Sequence, residues 1–240
     1  MTIKSAHVRL RMEKFKILAV PWPELSVELV NSAEPWRQVR HYHGQLHFPG
    51  WFWSERIGRR LMYESRLELA RLLVADADPH LLDVREQVFF LTLNFSDGSV
   101  IRHIPDFFIC TENQRPRLVN VKPSGWEKEE KFRKTFDALN SLCAEQGWSY
   151  ETWTGEKRSY LENLRWLSGY RRRSVIPATD EEIRSTLELV TDPMAIQVLE
   201  RQARDIGVDQ PRTVVMHMLW NSTIQANLAL NLSARSEVWR

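Results

Sequence analysis

Apolar residues recur at helical spacing in three stretches within the first 170 residues. In residues 64–77 the repeating positions are Leu67, Ala70, Val74 and Ala77, and Pro79 marks the expected stop. A second stretch, residues 126–146, repeats Phe132, Phe136, Leu139 and Cys143, and Gly147 stands at the expected C-cap. A third helix is predicted over residues 156–170.

Between these helices the pattern favours strands. Residues 82–95 form a β-rich block, the turn sequence Ser96-Asp97-Gly98-Ser99 follows, and residues 100–104 are predicted to close a hairpin. Further strands are predicted over residues 107–110, 118–122 and 148–153. The order helix, hairpin, strand, strand, helix, strand predicts an α/β core in which helices flank a mixed sheet.

The two ends of the chain differ from this core. Residues 1–60 show weak helical periodicity and predict an extension of short strands and loops packed on the core. After the core, residues 180–190, 193–206 and 211–220 predict three short helices, and residues 223–239 a two-stranded ribbon. The predicted domains are therefore the extension at 1–60, a core at 61–172 and a small winged-helix-like domain at 173–240.

Composition narrows the class of protein. The chain has 240 residues, of which 43% are hydrophobic and 27% charged, enough to bury a core. It contains no apolar stretch of membrane-spanning length, and its basic start does not predict a signal peptide. The chain has two cysteines, and their spacing predicts neither a metal site nor a disulfide framework. This cysteine usage predicts a protein of the reducing cytoplasm. The net charge is only +2, but Arg171, Arg172 and Arg173 form a dense basic cluster that is a candidate DNA contact.

Three chemistry-bearing residues lie at points where this fold would bring them together. Glu68 is on the first core helix, Asp106 follows Pro105 between two strands, and Lys122 ends an apolar strand. Asn120 lies two residues before Lys122 and shares its face of the strand. Carboxylates hold hard cations such as Mg²⁺, and a lysine beside them can orient an attacking water and offset phosphate charge. The residues alone fit a nuclease and an ordinary structural arrangement about equally well.

Four ordered segments carry a family resemblance: 63–68 (YESRLE), 78–87 (DPHLLDVREQ), 103–107 (HIPDF) and 119–123 (VNVKP). Together they resemble TnsA-type endonuclease subunits of heteromeric bacterial transposases, which belong to the PD-(D/E)xK nucleases. The resemblance covers roughly residues 53–153, and it continues more weakly at 215–220 and 232–238. It implies a restriction-endonuclease-like α/β fold.

The resemblance implies roles for individual residues. Glu68, Asp106 and Lys122 would be catalytic. The metal ligands would be Glu68, Asp106, Asn120 and the backbone carbonyl of Val121. Asn120 departs from the carboxylate or glutamine usual at its position, so a lower metal affinity is expected. Glu64, Gln87 and His103 are second-tier candidates. Mg²⁺ is the expected cofactor, with Mn²⁺ as a substitute.

The resemblance also implies a cellular task in the bacterial cytoplasm. Such a subunit cuts the 5′, non-transferred strands at transposon ends, a DDE-type transposase cuts and joins the 3′ ends, and an ATP-dependent regulator couples both to target choice. Two other hypotheses remain open. The chain could be a catalytically weak or dead subunit that docks on the transposase and DNA, or a stand-alone restriction or repair nuclease of the same fold.

Overall fold

A computed structural model describes residues 2–37, 48–112, 114–172 and 176–240. They cluster into two compact units: unit 1 contains Met1–Leu72 and His80–Gly155, and unit 2 contains Leu73–Pro79 and Glu156–Arg240. The domain boundaries predicted after residues 60 and 172 remain predictions, although residues 156–172 cluster with unit 2.

Strands and helices are numbered along the chain. The strands are β1 (Ile3–Arg11), β2 (Ile17–Pro21), β3 (Gly50–Ser54), β4 (Arg59–Tyr63), β5 (Leu81–Glu86), β6 (Phe90–Phe95), β7 (Val100–His103), β8 (Phe107–Thr111), β9 (Arg117–Val121), β10 (Ser149–Trp153), β11 (Met194–Ala195), β12 (Gln225–Ala226) and β13 (Glu237–Trp239). The helices are α1 (Val27–Ser32), α2 (Arg66–Ala77), α3 (Glu130–Glu145), α4 (Arg158–Leu167), α5 (Asp180–Glu188), α6 (Ile196–Asp205) and α7 (Pro211–Trp220). This mixture confirms the predicted α/β class.

Unit 1 contains two four-stranded sheets. The first is fully antiparallel, in the order β2-β1-β6-β7. The second has the order β10-β9-β8-β5, in which β9 and β10 run parallel and the other neighbours run antiparallel. Helix α3 connects β9 to β10, as expected for a parallel pair that needs a crossover.

Both sheets and α3 contribute to one hydrophobic core. Phe89 and Leu93 come from the segment of β6, Phe108 from β8 and Leu139 from α3. Trp22 packs edge-on against Phe89, with ring centroids 6.0 Å apart. Its indole N–H donates to the carbonyl of Leu142 at 2.9 Å, so the buried polar atom is satisfied.

Two parts of unit 1 differ from the predicted pattern. The block at 82–95 is two strands on different sheets, separated at Gln87, which has a positive φ of 46°. The N-terminal residues supply β1, which pairs with both β2 and β6 inside the first sheet and buries Val8 and Leu10 completely. Residues 1–60 are predicted as an extension of short strands and loops packed on the core; in the structure, pairing with β6 makes β1 an integral strand of the first sheet, which the local pattern did not reveal.

Helix α5 of unit 2 has a capping box at its N-terminus. Thr179 Oγ1 accepts from the N–H of Glu182 at 3.1 Å, and the Glu182 carboxylate accepts from the N–H of Thr179 at 2.7 Å. The three predicted helices are confirmed as α5, α6 and α7. The predicted two-stranded ribbon is incomplete, because β11 joins β13 and β12 in a three-stranded sheet of order β11-β13-β12.

Across the described segments, no helix has the length and apolar character needed to cross a membrane.

Candidate metal-binding cleft

A cleft of about 320 Å³ in unit 1 gathers most of the predicted site. Its lining includes the four predicted positions Glu68, Asp106, Val121 and Lys122 and the two second-tier residues Glu64 and His103. Arg37 and Arg102 line it as well. We refer to this feature as the acidic cleft.

Glu68 is held at the start of α2 by its own helix cap. Ser65 Oγ accepts from the N–H of Glu68 at 3.1 Å and donates to Glu68 Oε1 at 3.0 Å. Glu68 Oε2 accepts from the N–H of Glu64 at 2.8 Å. This Ser-x-x-Glu arrangement resembles a capping box, except that the Glu68 side chain accepts from the N–H of Glu64 instead of the N–H of Ser65. The hydrogen bonds hold the Glu68 carboxylate in one orientation in the acidic cleft.

Burial raises the pKa of Glu68 to about 7, and the nearby Asp106 carboxylate adds to the rise. The hydrogen bonds from Glu64 and Ser65 oppose it. In the absence of a cation, charge on Glu68 is therefore unfavourable near neutral pH.

Asp106 is fixed by three backbone contacts. Its N–H donates to the carbonyl of Val119 at 3.1 Å, its carbonyl accepts from Gln87 at 2.9 Å, and its Oδ2 accepts from the N–H of Val121 at 2.7 Å. Burial raises the pKa of Asp106 above its usual value, while Lys122 and the Val121 N–H act in the opposite direction. A second carboxylate is thus held in a place that disfavours its charge.

Lys122 directly follows β9. Its N–H donates to the carbonyl of Trp153 at 3.0 Å, which extends the pairing of β9 with β10 by one residue. Its ammonium lies 5.4 Å from the ring centroid of Phe132, within the range of a cation–π contact. Strand pairing and this aromatic contact hold the lysine beside Asp106.

Asn120 is buried, with 2% of its surface exposed, and both ends of its amide are engaged. Its Oδ1 lies 2.9 Å from Nε2 of His103, and its Nδ2 donates to the hydroxyl of Tyr150 at 2.6 Å. Burial lowers the pKa of His103 to about 4, so the imidazole is neutral near pH 7. The role of Asn120 as a metal ligand remains a prediction, and its contact with Tyr150 is one that the sequence pattern did not predict.

Gln87 is hydrogen-bonded to two segments that reach the acidic cleft, one at Asp106 and one at Arg37. Its N–H donates to the carbonyl of Asp106, and its side-chain Oε1 accepts from the N–H of Arg37 at 3.1 Å. Its carbonyl accepts from the N–H of Trp36 at 2.9 Å. These hydrogen bonds connect Gln87 to the segments that carry Asp106 and Arg37, and its place among the second-tier site residues stays a prediction.

Nothing in the sequence pattern distinguishes Arg37 as a residue of the site. In the structure its guanidinium lies 2.7 Å from the carboxylate of Glu64 and lines the acidic cleft. Glu64 is thus neutralised locally by an arginine, whereas Glu68 and Asp106 are buried together. This difference between Glu64 and the two buried carboxylates depends on the N-terminal segment that brings Arg37 to Glu64, so it is visible only in the tertiary structure.

The triple arginine is only partly described. Arg173 lies outside the described residues. Arg171 is largely buried, lies 3.9 Å from the carboxylate of Asp76 and donates to the carbonyl of Ser168 at 3.1 Å, while Arg172 is exposed. The DNA-binding role of this cluster remains a prediction, and the ion pair gives Arg171 a structural task within unit 2.

A pH dependence of stability follows from Glu68. An acid whose folded pKa is raised stabilises the fold below its unfolded pKa, and this contribution is lost as pH rises through the folded pKa. Between pH 5.5 and 8, metal-free protein should therefore lose about 2 kcal/mol of unfolding free energy through Glu68. Glu68→Gln should remove this loss, as measured by denaturant unfolding at both pH values.

Glu145→Gln is the matched control, because it neutralises an exposed carboxylate on α3. It should keep the pH dependence of the wild type. An unchanged pH dependence in Glu68→Gln would contradict the raised pKa.

The residues of the acidic cleft fit a hard divalent cation. Two buried carboxylates that repel each other would both be stabilised in their charged forms by a cation between them. Within the described part of the chain, no group of three or more His, Cys, Asp or Glu side chains is placed to hold a metal. A cation here would thus complete its shell with water and with carbonyl or amide oxygens, as Mg²⁺ commonly does.

A mixed sheet flanked by helices, with carboxylates and a lysine around one cleft, is consistent with the class of nuclease-like α/β proteins. The family model for the TnsA-like endonuclease N-terminal domain matches residues 78–155. This match confirms the predicted resemblance to TnsA-type endonucleases, and it includes Asp106, Asn120 and Lys122 but begins after Glu68. Among curated proteins, none matches the chain.

Proposed function

We propose that the chain is a metal-dependent DNA endonuclease subunit of a transposase that hydrolyses the 5′, non-transferred strands at transposon ends. One observation carries this proposal. Glu68, Asp106 and Lys122 come from three separated segments and line one cleft, in which burial raises the pKa of both carboxylates. The TnsA-like match at residues 78–155 supports a transposase-associated nuclease.

Each residue has a definable task in phosphodiester hydrolysis. Glu68 and Asp106 would hold Mg²⁺, or Mn²⁺ in its place, with the Val121 carbonyl and the Asn120 amide oxygen as neutral ligands. The bound cation supplies positive charge for the phosphate and for the attacking water. Lys122 orients that water and offsets phosphate charge with a compact ammonium. Arg102 adds positive charge to the lining of the acidic cleft, whereas the charge of Arg37 is compensated by Glu64.

The remaining partners follow from the same assignment. A DDE-type transposase would cut and join the 3′ ends in the bacterial cytoplasm, and an ATP-dependent regulator would couple cutting to target choice. Cutting only the 5′ strands leaves the 3′ strands joined to the donor DNA. We therefore propose that this subunit works together with the transposase and the regulator.

Unit 2 supplies the proposed docking module. Its order α5-β11-α6-α7-β12-β13, with β13 between β11 and β12, is the order expected of a winged helix. We propose that this module contacts DNA or the partner proteins, with Arg172 among its exposed basic residues.

The test is strand-specific cleavage of donor DNA that carries the transposon ends. The purified chain is combined with a DDE-type transposase that acts on the same ends, and 5′ and 3′ cuts are mapped with Mg²⁺, with Mn²⁺ and with excess EDTA. We expect 5′ cuts at the element ends with either metal and none with EDTA. Restoring Mg²⁺ to the EDTA sample should restore them.

A second candidate is a docking subunit without catalytic activity, and the engaged amide of Asn120 favours it. Three results together would support this candidate. The 3′ strands are cut, this cutting is less efficient without the chain, and every 5′ strand stays intact with either metal. Cleavage of DNA without transposon ends, in the absence of the transposase, would instead support a stand-alone nuclease.

A further inference from the structure

Asn120 lies next to Val121 along β9 and contacts His103, and both of these residues line the acidic cleft. An asparagine amide has an oxygen that can ligate a cation and a nitrogen that cannot, and the two ends are nearly identical in shape. Asn120 is 2% exposed, so water does not compensate an amide turned the wrong way.

The contacts around Asn120 assign each end. Its Oδ1 can only accept, so Nε2 of His103, 2.9 Å away, is the donor in this contact. Its Nδ2 donates to the Tyr150 hydroxyl at 2.6 Å, and Thr152 donates to the same hydroxyl at 3.4 Å. The oxygen thus faces His103, which lines the acidic cleft, and the nitrogen faces the neighbouring strand β10.

We propose that Tyr150 is a positioning residue for the metal site: by accepting from the Asn120 nitrogen, it turns the Asn120 oxygen towards His103 and the acidic cleft. This inference rests on the proposed function, because the oriented oxygen serves a divalent cation. One lone pair of that oxygen accepts from His103, and the second remains for the cation.

The arrangement also accounts for a neutral residue at position 120. Glu68 and Asp106 already repel each other, and a third buried carboxylate would add to that repulsion. A neutral amide avoids the added charge but must be oriented, whereas a carboxylate has oxygen at both ends. Tyr150 supplies the orientation that the amide requires.

The test is a double-mutant cycle that measures Mn²⁺ affinity by titration calorimetry on the full chain without DNA. Tyr150→Phe should weaken Mn²⁺ binding by about tenfold, the lower range for residues that support metal ligands. In the Asn120→Asp background the same substitution should change affinity less than twofold, because both ends are then oxygen. Equal effects in the two backgrounds, or none in either, would overturn the proposal.

A metal-free readout separates this inference from the proposed function. The side-chain NH₂ signals of Asn120, assigned by their loss in Asn120→Asp, should show one proton protected from exchange in the wild type. That protection should disappear in Tyr150→Phe and remain in Thr152→Val, which removes only the neighbouring hydroxyl. Two outcomes would overturn the positioning role of Tyr150. One is unchanged exchange protection of the Asn120 NH₂ group in Tyr150→Phe, and the other is a wild-type protein in which Asn120 Oδ1, rather than Nδ2, faces Tyr150.

Asp106→Asn provides the check on the metal site itself. It should abolish Mn²⁺ binding while leaving the Asn120 signals of the metal-free protein in place. Wild-type Mn²⁺ affinity in Asp106→Asn would overturn the cation site, and with it both the proposed function and the role of Tyr150. Loss of binding in Asp106→Asn with wild-type affinity in Tyr150→Phe would overturn the inference alone.

Discussion

Asp106→Asn is expected to reduce 5′-strand cleavage by roughly a thousandfold while the partner transposase still cuts the 3′ strands. The carboxylate is a proposed ligand of a cation that contributes several kcal/mol of transition-state stabilisation, and about 4 kcal/mol corresponds to three orders of magnitude in rate. An amide keeps the shape of the side chain but not its charge. The measurement is the single-turnover rate of 5′ nicking on end-containing DNA.

The same substitution should change metal-free stability in the opposite direction. Burial raises the pKa of Asp106, so its charged form destabilises the metal-free fold near neutral pH. Removing the charge should therefore raise the denaturation midpoint even as cleavage is lost. Asp137→Asn, at an exposed position on α3, is the matched control and should alter neither property. Nicking at the wild-type rate in Asp106→Asn would contradict the assigned cleft.

Lys122→Met is expected to slow 5′-strand cleavage by about a hundredfold to ten-thousandfold, the range associated with a positioned proton-transfer group. Methionine retains an unbranched apolar stem that can pack near Phe132, but it lacks the ammonium that orients water and offsets phosphate charge. The distinguishing measurement is Mn²⁺ affinity, which should be retained or increased because a positive charge has been removed beside Asp106.

Lys134→Met serves as the control for this second variant. Lys134 pairs with Glu130 on α3 at 3.3 Å and lines a different cleft, so its loss should leave nicking unchanged. If Lys122→Met lost Mn²⁺ affinity as completely as Asp106→Asn, the lysine would have a role in assembling the site rather than in the hydrolytic step.

The local part of the fold could be predicted from the sequence. The helical repeat before Pro79, the turn at Asp97-Gly98 and the stop at Gly147 depend on residues close together along the chain, and each marks an observed element boundary. Gly147 has a φ of 71°, a conformation that glycine adopts without steric cost. Such signals need no knowledge of distant partners.

Long-range pairing was not predictable in the same way. Residues 82–95 appeared continuous because β5 and β6 are both apolar, and only the bend at Gln87 assigns them to different sheets. The placement of β1 beside β6 likewise depends on pairing across about 85 residues. Strand propensity describes a residue's fit to a pleated surface and does not identify its partner.

For the candidate site, the sequence by itself determined which chemical groups are present and predicted their role, and the tertiary structure decided how they are arranged. The four ordered segments predicted Glu68, Asp106 and Lys122 as the site residues. The fold decided that Arg37 pairs with Glu64, that Gln87 is hydrogen-bonded to Asp106, and that Tyr150 and His103 hold the two ends of the Asn120 amide. The physical reason is that charge, hydrogen-bonding capacity and local propensity belong to individual residues, whereas burial, pKa and side-chain orientation arise only when distant segments pack together.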